Sequence, residues 1–240
     1  MTTAIVTGAS QGLGAALAAG LAAAGWSVVI DARHDVPLGE TAALIRSRSD
    51  GPGRLISVTG DVTDPGHRRE LVAEAVSLGG LDLVVNNAST LGPSPLPPLG
   101  SYPLHSLRQV FDVNVVAPLA LVQEALPELL ASTDPRVVNV TSDAAVEAYG
   151  GWGGYGSSKA ALDHLSAVLA VENPRLRVWA FDPGDMRTQM HQDAYPGEDI
   201  SDRPEPASVV PALLDLVTGD RPSGRYRAVD LQAACAGSRP

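Results

Sequence analysis

Lysine, cysteine and aromatic residues are scarce in this 240-residue sequence, and each scarcity excludes something. A single cysteine, Cys235, leaves no partner for an internal disulfide and points to a reducing, cytoplasmic setting. Basic side chains are outnumbered, 17 against 27 acidic ones, for a net charge of −10. Binding to a nucleic-acid backbone needs a basic patch, so no nucleic-acid partner is expected and the charge serves solubility. No uninterrupted apolar run reaches the ~18 residues of a membrane span, and the opening "MTTAIVTGAS" lacks a basic leader. Neither a membrane partner nor a secretory signal is therefore expected. The five histidines are scattered without metal-ligand spacing, so no metal site is expected. Arg68-Arg69 reads as a solvated helix face. Lysine occurs once, at Lys159, and every other basic side chain is an arginine.

What is present alternates. Short apolar, β-branched runs at residues 4–7, 27–31, 54–60, 81–88, 136–142, 176–182 and 226–230 read as strands. Helical patterns fall between them at 12–25, 38–48, 64–78, 106–131, 155–171 and 206–217. Asp64-Pro65 supplies an N-cap and first-turn proline for the third of these. Alternation of this kind predicts an α/β fold, a Rossmann-type doubly wound parallel sheet of about seven strands with helices on both faces. Nothing divides the chain, so residues 1–240 read as one dinucleotide-binding and catalytic domain. The loops around 89–104 and 185–204 follow strands, which puts them at the carboxyl edge where such sheets bind ligands.

The first strand leads into "TGASQGLG", with Gly8, Gly12 and Gly14 spaced G-x-x-x-G-x-G. Glycines between a strand and a helix allow a tight turn and let backbone amides approach a pyrophosphate, which the helix dipole favours. "GDV" (60–62) and "NNAS" (86–89) end the third and fourth strands, and "DPGDMRT" (182–188) ends the sixth. With "YGSSK" (155–159), these motifs resemble the short-chain dehydrogenase/reductase family, in its compact single-domain branch. The resemblance spans roughly residues 3 to 230. It implies a nicotinamide cofactor held by Gly8, Ser10, Gln11, Gly12, Leu13 and Gly14 of the turn. Asp61 and Val62 would meet the adenine, Asn87 and Ala88 would follow, and Pro183, Gly184, Met186 and Thr188 would pack on the nicotinamide. Ser89 stands where the family usually has glycine. Asn86 and Asn87 have a plainer alternative reading as strand-end caps.

Tyr155 and Lys159 are four apart, so on a helix they share a face. An unperturbed tyrosine titrates near ~10, and a neighbouring ammonium is expected to lower that value. A compact ammonium can also hold ribose hydroxyls beside the phenol, which a broad guanidinium cannot do in the same way. Ser142, at the end of the "VVNVTS" strand, can meet Tyr155 at one carbonyl oxygen. The resemblance adds Asn114, in "FDVNVVAPL", as support for a water-linked proton path to the lysine. The catalytic set is thus Asn114, Ser142, Tyr155 and Lys159, with the last two also touching the cofactor.

The second strand ends "VVIDARHD". Ala32 occupies the position where the family's NAD-preferring members carry an acid, and strand alternation turns Asp31 the other way. Arg33 is then free to pair with a 2′-phosphate. NADP(H) is the expected cofactor and NAD(H) the alternative, since Gln11 stands where many NADP-preferring relatives have a basic residue. The expected function is interconversion of a small-molecule carbonyl and an alcohol. Reduction of an imine or conjugated double bond, or nucleotide sensing without chemistry, remain as alternatives. Tyr149, Trp152 and His191 are candidate pocket residues. The apolar helices at 106–131 and 155–171, with the resemblance, imply a homodimer or homotetramer.

Overall fold

In the computed structural model, which describes residues 2–48 and 51–237, the apolar runs form β1 (Thr3–Val6), β2 (Ser27–Ala32), β3 (Leu55–Thr59), β4 (Leu83–Asn86), β5 (Arg136–Val140), β6 (Arg177–Asp182) and β7 (Gly224–Arg227). They pair in parallel in the order β3-β2-β1-β4-β5-β6-β7. The order reverses between β1 and β4, and a crevice opens at their carboxyl ends. The helices are α1 (Gly12–Ala23), α2 (Asp35–Arg48), α3 (Pro65–Ser77), α4 (Leu104–Phe111), α5 (Ala117–Ala131), α6 (Gly153–Glu172), α7 (Gln189–Ala194), α8 (Val210–Thr218) and α9 (Ala228–Gly237).

Strand alternation sorts the core into two layers. Ala4, Val6, Val28 and Ile30 pack with Leu17 and Leu21 of α1, Leu38 of α2 and Leu213 of α8. Ile5, Val29 and Val84 point the opposite way, onto Leu71 of α3 and Leu121, Val122, Ala125 and Leu129 of α5. Each face of the sheet is thus sealed by helices, which explains why its strands are apolar on both sides. Asp64 caps α3 by accepting from the Gly66 N–H, with Pro65 in the first turn, as the sequence predicts.

Two expectations need correction, the last strand and the exposure of Arg68. The strand foreseen at 226–230 is two residues earlier, and its last residues begin α9, where the alanine-rich "AVDLQAACAG" favours a helix. Cys235 belongs to α9, with its side chain outside the described residues. Arg68 is not on a solvated face: it is buried, donating from Nη1 to the Val62 carbonyl and from Nε to Glu124. Helices α4 and α5 join through one π-type turn, Asp112–Val116, into a continuous helix Leu104–Ala131 of 28 residues. By length and composition this helix is apolar enough to cross a bilayer. Arg108, Asp112, Glu124 and Glu128 interrupt the apolar run but not the helix, and Leu121, Val122 and Leu129 cover the sheet.

Candidate active site

The glycine turn is held from behind by β4. Thr7 Oγ1 accepts from the backbone N–H groups of Asn87 and Ala88, each at 3.0 Å. The Asn87 amide donates to the Thr7 and Gly8 carbonyls, at 2.8 and 3.1 Å. Gly8 has φ 66°, and a Cβ there would stand 2.8 Å from the Ala88 Cα. At Gly14 a Cβ would run into the Gly8 carbonyl and the Asn87 amide. Only glycine satisfies both positions. No side chain caps the start of α1 and no acid occupies its first turn, so its N–H groups face the crevice.

Asp31 completes this floor. Its carboxylate is fully buried, accepting from the Gly8 N–H at 2.7 Å and bonded to His67 Nε2 at 2.8 Å. Burial pushes the carboxyl up, against the opposing pull of His67 and the Gly8 N–H. This carboxylate is spoken for and faces α3. Arg33 is exposed at the crevice with no ion pair among the described residues. It faces Asp61, whose Oδ1 accepts from the N–H and hydroxyl of Thr63. Burial acts to raise the Asp61 carboxyl, but Thr63 and the Arg33 charge outweigh it and hold the group below its ordinary value. Asn86 does not cap the strand end: its amide donates to the Asn139 side chain at 2.7 Å inside the core, away from the crevice.

Starting at Gly153, α6 puts Tyr155 and Lys159 in its first two turns, the ammonium 5.6 Å from the phenol ring centroid. The hydroxyls of Ser142 and Ser89 flank the phenol. Ser142 Oγ donates to Asp143 at 2.9 Å and accepts from the Ala144 N–H at 3.2 Å. The expected lowering of the tyrosine by the lysine is not found. Burial pushes the phenol up, Asp182 and Asp143 add to it, and the two serine hydroxyls only oppose it. Lys159 donates from Nζ to the Val140 carbonyl at 2.8 Å and is itself pushed down by burial to about 8, with Asp163 resisting. Both groups are too dry for either charge to be stabilised cheaply.

Asn114 is completely buried. Its Oδ1 accepts from Ser89 Oγ and the Thr90 N–H, and its Nδ2 donates to the Thr90 carbonyl and Ser158 Oγ. All its side-chain capacity is used. A water-linked path there would have to use its backbone. Asn114 does not line the crevice, and neither does Tyr149 among the candidate pocket residues. The other predicted residues meet in one cleft of about 840 Å³. Thr188 lines it while its hydroxyl caps α7, accepting from the His191 N–H at 3.2 Å.

Sequence reasoning missed a bracket beneath the site. Arg225, on β7, donates from Nη2 to the Ser142 carbonyl at 3.0 Å and to Asp182 Oδ2 at 2.8 Å. Its Nε donates to Asp163 at 3.1 Å, one turn beyond Lys159. Asp182 in turn accepts from the Gly184 N–H at 3.0 Å. One guanidinium therefore ties the serine, the lysine helix and the Pro183-Gly184 turn together. Beyond Tyr155 the cleft is walled by Leu91, Trp152 and Met190, with Leu96 and Tyr195 packed in the same apolar cluster. Trp152 meets the Tyr155 ring edge-on at 5.7 Å and lies 5.9 Å from Tyr195, which is 5.0 Å from His191.

Residues 2–199 match the family model described as short chain dehydrogenase. The Escherichia coli oxidoreductase YciK is 33% identical over 218 residues, 90% of this chain and 86% of that protein. A short-chain dehydrogenase structure from Pseudomonas syringae superposes with a TM-score of 0.87 at 32% identity, covering 95% of this chain and 94% of the other. A Shigella flexneri short-chain dehydrogenase in complex with NADP gives 0.86 at 30% identity, with 95% and 97% covered.

Proposed function

Since the chain belongs to the short-chain dehydrogenase family of oxidoreductases, we propose that it is an NADP(H)-dependent reductase that interconverts a carbonyl and an alcohol. The observation that carries the reading is the convergence, in one cleft, of an uncapped helix N-terminus behind a glycine turn with the half-buried Ser142 and the buried Tyr155 and Lys159. The donor set suits a dinucleotide phosphate. Gly8, Gly12 and Gly14 leave room for a pyrophosphate against the first turn of α1, and Arg33 offers a cation for a 2′-phosphate. Pro183, Gly184 and Met186 would hold the nicotinamide, and Lys159 its ribose. When bound, the reduced cofactor supplies a hydride for the carbonyl carbon.

The protein's own part is to hold and move a proton. Tyr155 donates its phenolic proton to the carbonyl oxygen, and its raised pKa keeps that proton in place at neutral pH. Ser142 donates a hydrogen bond to the same oxygen by turning its O–H away from Asp143. Lys159, without a surface exit, carries its charge beside the phenol. Absorbance at the reduced-nicotinamide band, followed over ketones, aldehydes, imines and enones, tests the reaction. Turnover confined to imines or enones overturns the carbonyl reading. A kcat/KM preference for NADH, or a preference unchanged in Arg33→Ala, overturns the cofactor reading.

A homodimer or homotetramer is part of the same proposal. Val168 and Val171 of α6 are 38% and 79% exposed, an apolar cost that a second subunit would remove. Light scattering at a mass near one 24.8 kDa chain overturns it.

A further inference from the structure

Charge is distributed unevenly along the cleft. At the end where the adenosine would lie, Arg33 and Arg68 stand beside Asp31 and Asp61, whereas the end beyond Tyr155 carries the carboxylates Asp143, Asp182 and Asp185. Two of those carboxylates have cationic partners. Asp182 is bound by Arg225, and Asp185 lies within 4 Å of Arg203 and His191. Asp143 has none among the described residues. It is exposed, and accepts only from Ser142 Oγ, the Ala144 N–H and Tyr149 Oη. Its field reaches the pocket walls: besides burial, its charge pushes up both Tyr155 and Tyr195. Lys159 cannot offset it at the mouth, being 2% exposed and bonded to the Val140 carbonyl. An apolar ring has its surface in Leu91, Trp152 and Met190.

We propose that this site, taken as the carbonyl reductase of the preceding section, selects ring-bearing carbonyl substrates by charge. It favours cationic over neutral side groups and rejects carboxylates, with Asp143 as the selecting residue. Keto acids are thereby disfavoured as substrates, and amino-ketones are preferred to their neutral isosteres. The ring packs on Trp152 and Met190 while its carbonyl points to Tyr155 and Ser142. Asp143 then borders the substrate on the Ser142 side, the side from which its carboxylate bonds that serine.

The test uses para-substituted acetophenones bearing an aminomethyl, ethyl or carboxylate group, with saturating NADPH. At roughly 7 Å in a partly solvated cleft, one charge changes kcat/KM by about tenfold. The expected order is ammonium, ethyl, carboxylate, with steps of that size that shrink in high salt. In Asp143→Asn the order collapses, and any common effect of losing the Ser142 contact cancels in the ratios. Calorimetric affinities of the same three ketones for the NADP⁺-bound enzyme are measured beside turnover. Affinities in the stated order without turnover leave the selection standing and overturn the carbonyl chemistry. Turnover with equal ratios, a preference for the carboxylate, or an order that survives Asp143→Asn overturns the selection. Neither binding nor turnover overturns both.

Discussion

Replacing Arg225 by glutamine removes the guanidinium that joins Ser142, Asp163 and Asp182 while keeping a long polar side chain. The carboxylates it leaves behind are mostly buried, at 16% and 5% exposure. Breaking a buried ion pair from one side costs about 3–5 kcal/mol. Arg225 is itself 26% exposed, so water relieves part of this and the cost falls to about 2–3 kcal/mol. For a chain of this size that corresponds to a Tm lower by roughly 6–9 °C. The loss is pH-dependent. Burial already holds the Asp163 carboxyl above its ordinary value. The part of the penalty owed to Asp163 fades below about pH 4, where the group is protonated folded or unfolded, and grows as pH rises through its folded pKa, while the lost bond to the Ser142 carbonyl costs the same at every pH. Calorimetry at acidic and neutral pH should therefore show the smaller deficit at the acidic end. Freed from their bracket, the Ser142 peptide and the Pro183-Gly184 turn lose register, and kcat should fall about tenfold to a hundredfold. Arg225→Lys should recover part of the Tm and less of kcat, because one ammonium cannot span three acceptors. A Tm within about 1 °C of the parent, or a pH-independent deficit, would refute the reasoning.

Tyr155→Phe should lower kcat by about a hundredfold or more with NADPH affinity unchanged, as stopped-flow binding would report; near-parental turnover would remove Tyr155 from the mechanism. Because Lys159 is held to about 8, kcat/KM for the cofactor should decline as pH rises through that value and the ammonium is lost. In Lys159→Arg, which does not titrate in this range, the decline should vanish while kcat falls; its persistence would assign the limb to another group. Gly14→Ala drives a methyl into the Gly8 carbonyl, and should weaken NADPH binding at least about tenfold in a fluorescence titration.

The sheet was legible because its signal is local. A run such as "SVVID" declares a doubly covered strand by composition, and the motifs at the carboxyl ends mark one edge of the sheet. Contacts between distant residues carry no such mark. Arg225 reaches partners 83, 62 and 43 positions away, and Asp31 reaches His67 across 36. In the sequence Arg225 falls one place before a run that reads as a strand, with no feature to distinguish it from fifteen other arginines. The π-type turn at Asn114 is announced only by Pro118, which has no N–H to offer the carbonyl four residues before it. The direction of the Tyr155 shift was misread for a related reason. Spacing fixes which residue is a neighbour, but the pKa depends on how much water surrounds both, and that is a property of the packed fold.

The seclusion of Lys159 also governs how the molecule can be handled. Apart from the chain's amino terminus, its ammonium is the only primary amine available to acylating reagents, and it lies 2% exposed under the catalytic cleft. Amine-directed cross-linkers and coupling resins therefore find no lysine on the surface, so a failure to cross-link says nothing about subunit association. The same property makes acylation a one-site experiment. Beyond the terminal amine, each added mass increment counts a cleft that has opened far enough to admit the reagent.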